Sequence, residues 1–158
     1  MRNEKGVTLI EAVVVLGLLA IIITVLAQLN LMFFRNVSAE GLSVRAIAIA
    51  VETMEAARIL RDKNWNNLND LTQGTSYYLS FSDSGKDWTI ENSNPGKIQG
   101  IFSRSFSVYA VSRDPATGKI AASGGVYDGQ TLKVEARVSW NDRGRDKNIK
   151  LTTYLTNF

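Results

Sequence analysis

An uncharged apolar run near the N-terminus constrains this chain more than any other feature. Residues 12–34 lie between Glu11 and Arg35 and contain no charged side chain. As an α-helix rising 1.5 Å per residue, the run reaches about 34 Å, close to the thickness of the hydrocarbon core of a bilayer. Arg2 and Lys5 precede the run, which favours a cytoplasmic N-terminus. The sequence therefore predicts one membrane-spanning helix, with an unexplained carboxylate at its start.

The helical pattern continues beyond Arg35 to about Lys63, because this stretch lacks proline and its apolar residues recur at helical spacing. Asparagine and aspartate in the segment RDKNWNNLND compete with a helix, so the helix is predicted to end there. The apolar residues fall into two neighbouring rows, and this half of the helix is predicted to be amphipathic. The first row is Val37, Val44, Ile47, Val51 and Met54, and the second is Leu42, Ile49 and Ala56.

After Leu71 the apolar residues alternate with period two, which is typical of β-strands. An antiparallel sheet of four or more strands with one apolar face is predicted. The amphipathic half of the helix is the natural cover for that face, so the fold class is α+β, with a long N-terminal helix packed on a C-terminal antiparallel sheet. The predicted strands are 76–82, 87–91, 101–114, 131–140 and 148–158, and the turns between them include DSGK, DPATGK and NDRGR.

Composition narrows the function classes. Cysteine and histidine are absent, which excludes thiol chemistry, disulfides and a serine–histidine–aspartate triad. No nucleophile motif occurs, so an enzyme is not expected, and no cofactor or metal is predicted. Asp83 and Asp87 share the loop 82–88, but this loop lacks the spaced oxygen ligands of an EF-hand, so an ordinary hairpin is favoured over a calcium site.

A cluster of basic residues near the C-terminus could in principle bind nucleic acid. The net charge is +3 at pH 7, and this excess is by itself too small to indicate nucleic-acid binding. A solvated turn is favoured over a nucleic-acid site, because two aspartates dilute the cluster. The basic residues are Arg143, Arg145, Lys147 and Lys150.

The segment Lys5-Gly6-Val7-Thr8-Leu9-Ile10-Glu11, followed by the apolar run, resembles the class III signal, or N-methylation motif, of type IV pilins and of type II secretion pseudopilins. The resemblance implies that a prepilin peptidase cuts after Gly6 and methylates the new amino terminus on Val7. It also implies that Glu11 neutralises this amino group when a subunit docks into a filament core. Isolated charges are expensive in hydrocarbon, and that cost falls when a carboxylate and an ammonium group meet.

This chain departs from the usual pattern at two points. The first mature residue is Val7 rather than phenylalanine, and the membrane segment contains no proline. A proline kink is therefore excluded from this helix.

The predicted organisation is a leader peptide at 1–6, a transmembrane and filament-core helix at 7–34, and an amphipathic helix with a β-sheet head at 35–158. The predicted function is a structural subunit, a minor pilin or pseudopilin, of a type IV pilus-like filament. The implied partners are other pilin or pseudopilin subunits, prepilin peptidase, an inner-membrane assembly platform and membrane lipid, whereas nucleic acid is not expected. The implied location is the membrane, with a cytoplasmic N-terminus and the head outside the cytoplasm, and then an extracellular or periplasmic filament.

Two alternatives from other classes remain open. One is a single-pass membrane-anchored binding protein whose β-sheet head does not polymerise. The other is a secreted soluble β domain, which predicts cleavage by signal peptidase and a mature start at Gln28.

Overall fold

A computed structural model describes residues 8–82 and 84–157, without the side chains of Asn36, Ser38 and Ala39. The chain divides into two compact units, Met1–Leu42 and Ser43–Phe158. A long helix is followed by a short one and then by five antiparallel strands, which confirms the predicted α+β class. The elements are α1 (Leu9–Lys63), α2 (Asn66–Asn69), β1 (Tyr78–Ser82), β2 (Asp87–Glu91), β3 (Ser103–Arg113), β4 (Val126–Asp142) and β5 (Arg145–Thr156).

Helix α1 ends where the asparagine-rich segment begins, as the sequence predicts. The Asn67 side-chain amide donates a hydrogen bond of 2.9 Å to the Leu60 carbonyl in the last turn. The Asn64 side-chain oxygen accepts a hydrogen bond of 3.0 Å from the Asn66 amide at the start of α2. The Leu60 carbonyl also accepts from the Asn64 amide at 3.2 Å, whereas the Asn66 amide donates to a side chain instead of to a helical carbonyl. Asparagine side chains thus compete with the backbone at this end of the helix.

The strands form two sheets rather than one. Strands β1 and β2 make a two-stranded hairpin, and the second sheet has the order β3-β4-β5. The two sheets meet at one bridge, where Tyr77 and Phe106 exchange two backbone hydrogen bonds of 2.8 Å. The predicted strands are therefore confirmed, but the single predicted sheet is divided after Tyr77, where the chain pairs with β2 instead of continuing along β3.

Two of the predicted turns have the geometry that their sequences favour. In DPATGK, the Gly118 amide donates to the Asp114 carbonyl at 2.8 Å, and Gly118 has a φ of +68°. In NDRGR, Arg143 and Gly144 have φ values of +52° and +80°, which is typical of the two-residue turn that joins twisted antiparallel strands.

The core of the second unit lies between the C-terminal half of α1 and the inner face of the strands. Alanines contribute much of the helix side, and aromatic and β-branched residues contribute much of the strand side. Ala46, Ala50, Ala56 and Ala57 are fully buried on the helix, and Phe106, Val108, Val134 and Val138 are at most 1% exposed on the strands.

The first predicted apolar row of α1 reaches this core only at Met54, which is 6% exposed. Val44 is 66% exposed, and Ile47 and Val51 are about half exposed. The second row faces the core at two of its three positions, because Ile49 and Ala56 are buried. The physical reason is side-chain size: small alanines make up much of the buried face and let the helix backbone approach the sheet closely, whereas Val44, Ile47 and Val51 lie on the exposed side.

Candidate assembly site at the start of the helix

Thr8 and the acidic residue Glu11, which the sequence singles out, lie at the start of α1. The Thr8 hydroxyl oxygen accepts a hydrogen bond of 3.3 Å from the backbone amide of Glu11. Thr8 therefore caps a helix whose first amides have no intrahelical partner. Glu11 stands in the first turn, where the positive end of the helix dipole favours a carboxylate by about 0.3–1 kcal/mol.

The predicted residues at this site divide between described and undescribed parts of the chain. Glu11 is exposed at the helix start. Gly6 and Val7, the predicted processing and methylation residues, lie outside the described residues. The roles of all three residues therefore stay predictions.

Sequence reasoning missed Thr8 as a capping residue. The signal was present, because Thr8-Leu9-Ile10-Glu11 has the S/T-x-x-E spacing of a capping box. In this arrangement the same four residues carry both the processing signature and the start of the helix. Glu11 consequently has a local role in helix initiation besides any role in assembly.

The surface of α1 that follows is apolar and exposed. Every described side chain from Leu9 to Phe34 is exposed, although most of them are leucine, isoleucine, valine or phenylalanine. Among the described residues, α1 is the one helix long and apolar enough, by length and composition, to cross a membrane. A continuous apolar surface of this extent needs lipid or protein around it.

Two of the polar side chains inside the apolar run, those of Thr24 and Asn30, donate hydrogen bonds within the helix. The Thr24 hydroxyl donates a hydrogen bond of 2.8 Å to the Ala20 carbonyl. The Asn30 side-chain amide donates one of 3.0 Å to the Leu26 carbonyl. These contacts lower the cost of placing the two polar side chains in hydrocarbon, where an unsatisfied polar group costs several kcal/mol.

In the loop 82–88, the candidate calcium ligand Asp87 contacts other protein groups. The Asp87 carboxylate pairs with the Lys63 ammonium group and accepts a hydrogen bond of 2.6 Å from the Trp88 amide. Asp83 lies outside the described residues. Within residues 8–82 and 84–157, no three acidic side chains are grouped as a metal site would require. The contacts of Asp87 fit an ordinary hairpin that is tied to the end of α1.

Comparison with known proteins identifies the N-terminal segment. Residues 1–27 match the family model of the prokaryotic N-terminal methylation motif. No curated protein matches the chain significantly, and neither does any solved structure. The matched residues include the predicted Gly6–Glu11 signature and continue into the exposed apolar part of α1. The chain therefore carries, at its N-terminus, the class III signal of type IV pilin-like proteins.

Proposed function

We propose that this chain is a structural, non-enzymatic subunit of a type IV pilus-like filament, a minor pilin or pseudopilin. Prepilin peptidase removes residues 1–6 and methylates Val7, and the helix at 7–34 then holds the subunit in the inner membrane. The N-terminus is cytoplasmic and the head at 35–158 lies outside the cytoplasm. An assembly platform in that membrane moves the subunit into the filament, where other subunits replace lipid around the helix.

The observation that carries this proposal is the coincidence of the methylation motif with a fully exposed apolar helix. The motif occupies residues 1–27, and the exposed apolar surface runs from Leu9 to Phe34. A subunit that moves from membrane to filament needs a helix surface that accepts lipid first and neighbouring apolar helices afterwards. The head does not need this surface, because it has a core of its own within Ser43–Phe158.

Glu11 gives the proposal its mechanism. Cleavage after Gly6 creates an ammonium group on Val7, four residues before Glu11. Both charges are costly in a membrane or between packed helices, and pairing reduces the cost for each. The carboxylate is exposed on the helix and is therefore open to an amino group brought by a neighbouring subunit.

The first test is replacement of Glu11 by alanine. Glu11→Ala should still be processed, because Gly6 is unchanged, but its incorporation into filaments should fall strongly. Stranding one member of a buried ion pair costs about 3–5 kcal/mol. The measurement compares subunit in sheared filaments with subunit in membranes. Glu40→Ala, which removes another exposed carboxylate from α1, is the matched control and should assemble normally.

Equal incorporation of the Glu11→Ala and Glu40→Ala variants would show that Glu11 is only an interfacial charge. Processing is then checked separately by the mass of the mature N-terminus. A chain that begins at Val7 with one added methyl group supports a pilin-like precursor. A chain that keeps Met1 supports the anchored binding protein, and a chain that begins at Gln28 supports the secreted domain.

A further inference from the structure

The outward face of the three-stranded sheet carries a patterned set of polar side chains. The strand register places Tyr109, Lys133 and Tyr154 in one row across β3, β4 and β5. Successive rows on one face lie about 6.8 Å apart, and neighbouring strands lie about 4.8 Å apart. The next row is Ser107, Glu135 and Thr152, and the row after it is Ser105, Arg137 and Lys150.

The carboxylate in the middle row is already neutralised by two lysines. Glu135 lies 3.1 Å from the Lys133 ammonium group and 3.4 Å from that of Lys150. Partial burial alone would raise the pKa of Glu135, but the hydrogen bonds and charges of Lys133 and Lys150 lower it overall. Glu135 is therefore ionised at neutral pH and is an acceptor for hydroxyl groups.

Arg137 has no such partner. It is exposed, and within the described part of the chain its guanidinium makes no hydrogen bond or ion pair. The hydroxyl groups of Ser76, Ser105 and Ser107 likewise have no hydrogen-bond partner among the described residues. One free cation and three free hydroxyl groups thus surround a neutralised carboxylate.

These groups line a basin on the sheet with a volume of about 190 Å³. Its lining includes Ser76, Ser105, Ser107, Glu135, Arg137 and Lys150, and it is almost entirely polar. Tyr109 also lines an adjoining groove of 370 Å³, together with Lys133 and Tyr154. The Lys133 ammonium group lies 4.5 Å from the centre of the Tyr109 ring, which holds that ring in place.

We propose that this basin binds an acidic saccharide, that is, a sugar that carries a carboxylate. Arg137 receives the carboxylate, because a guanidinium binds carboxylates through two parallel hydrogen bonds. Glu135 and the serine hydroxyl groups receive the sugar hydroxyls. The half-buried Tyr109 and the exposed Tyr154 of the adjoining groove present rings with a polar tip to the next sugar unit of a longer chain.

The free guanidinium beside an ionised carboxylate favours an acidic saccharide over a bare oxyanion or a neutral sugar. A bare oxyanion would use the Arg137 guanidinium but has no hydroxyl groups to donate to the Glu135 carboxylate. A neutral sugar would use Glu135 and the serines but would leave the Arg137 guanidinium unpaired. A hydroxylated acid uses both, and its binding does not depend on whether the chain polymerises.

The test uses the full chain in detergent micelles, labelled with ¹⁵N, and follows the backbone amide resonances of Ser107 and Arg137. Glucuronate, glucose and inorganic sulfate are titrated separately. The dissociation constant of glucuronate should be about tenfold lower than that of either other probe, or lower still, because hydrogen bonds to charged groups are stronger than neutral ones. Glucose or sulfate binding as tightly as glucuronate would overturn the proposal, and so would the absence of binding.

Two substitutions and one control substitution test the roles of Arg137 and Glu135. Arg137→Gln should reduce glucuronate affinity to that of glucose, whereas Arg143→Gln, the same charge change in the β4–β5 turn, should leave it unchanged. Glu135→Gln should weaken glucuronate binding, because a neutral amide oxygen is a weaker acceptor than a carboxylate, and it should strengthen sulfate binding, because a negative charge is lost. Unchanged resonances of the buried Phe106 amide confirm that each variant is folded. A folded Arg137→Gln variant that retains the preference for glucuronate contradicts the assignment.

Discussion

Arg104 connects three parts of the head, and its removal is the sharpest test of how the head is held together. Its guanidinium lies 2.8 Å from the Glu52 carboxylate on α1 and donates a hydrogen bond of 3.2 Å to the Leu79 carbonyl in β1. It also lies 4.9 Å from the centre of the Trp88 ring in β2. Because the two sheets share only a short bridge, the planar fork of Arg104 on β3 is a principal link between the hairpin, the helix and the larger sheet.

The expected loss of stability follows from these contacts. Only 11% of the Arg104 side chain is exposed, whereas 52% of the Glu52 side chain is exposed, so the ion pair itself is worth about 0.2–1 kcal/mol. Loss of the hydrogen bond to the Leu79 carbonyl costs about 1–3 kcal/mol. The cation–π contact with Trp88 adds about 0.5–1 kcal/mol. Arg104→Ala should therefore lower the free energy of unfolding by roughly 2–5 kcal/mol.

Urea unfolding of the full chain in detergent micelles, followed by tryptophan fluorescence, measures this loss. Arg104→Lys should fall between wild type and Arg104→Ala, because lysine keeps the charge but cannot hold three partners with one planar group. Arg137→Ala is the matched control, since that arginine is exposed on the same sheet, and its effect should be within about 0.5 kcal/mol. If Arg104→Ala costs no more than Arg137→Ala, the contacts of Arg104 do not hold the sheets together.

Two further predictions concern the β3–β4 end of the sheet. The pKa of Asp128 is lowered from 3.8 to about 2 by hydrogen bonds from the Thr131 hydroxyl, the Arg113 guanidinium and the Gln130 amide. The ionised carboxylate therefore stabilises the fold above about pH 4, and this contribution is lost as the pH falls through about 2. The difference in unfolding free energy between wild type and Asp128→Asn should accordingly be largest near neutral pH and smallest below about pH 2. A difference that does not change with pH would contradict this origin. Gly125→Ala should destabilise the head by more than about 1 kcal/mol in urea unfolding, because Gly125 has a φ of +86° and an added Cβ would lie 2.6 Å from the Arg113 carbonyl oxygen. Gly118→Ala, with a φ of +68° but open space around it, is the control and should cost less.

Sequence periodicity predicted the helix of the head but only part of the face that it buries. Apolar residues recur at intervals of three and four on two sides of α1, so spacing alone does not choose between them. Residue volume decides, because the alanines at 46, 50 and 57 permit close contact with the sheet. Val44 and Val51 belong to an apolar row by their spacing, yet their side chains lie on the exposed side. A prediction that weighed size as well as hydrophobicity would have favoured the alanine face.

The proposed saccharide basin shows where sequence reasoning about a sheet reaches its limit. The two-residue turn at Arg143 and Gly144 fixes the register of β4 and β5, so the pairing of Arg137 with Lys150 follows from the sequence NDRGR. Strand β3 is different, because a long connection separates it from β4 and a β-bulge between Ala110 and Val111 shifts its register. A shift of one residue would turn the serines of β3 into the core and leave the basin without hydroxyl groups. The relative position of Arg137 and Lys150 can therefore be predicted from the local turn. The position of the β3 serines depends on a β-bulge that no local sequence pattern predicts.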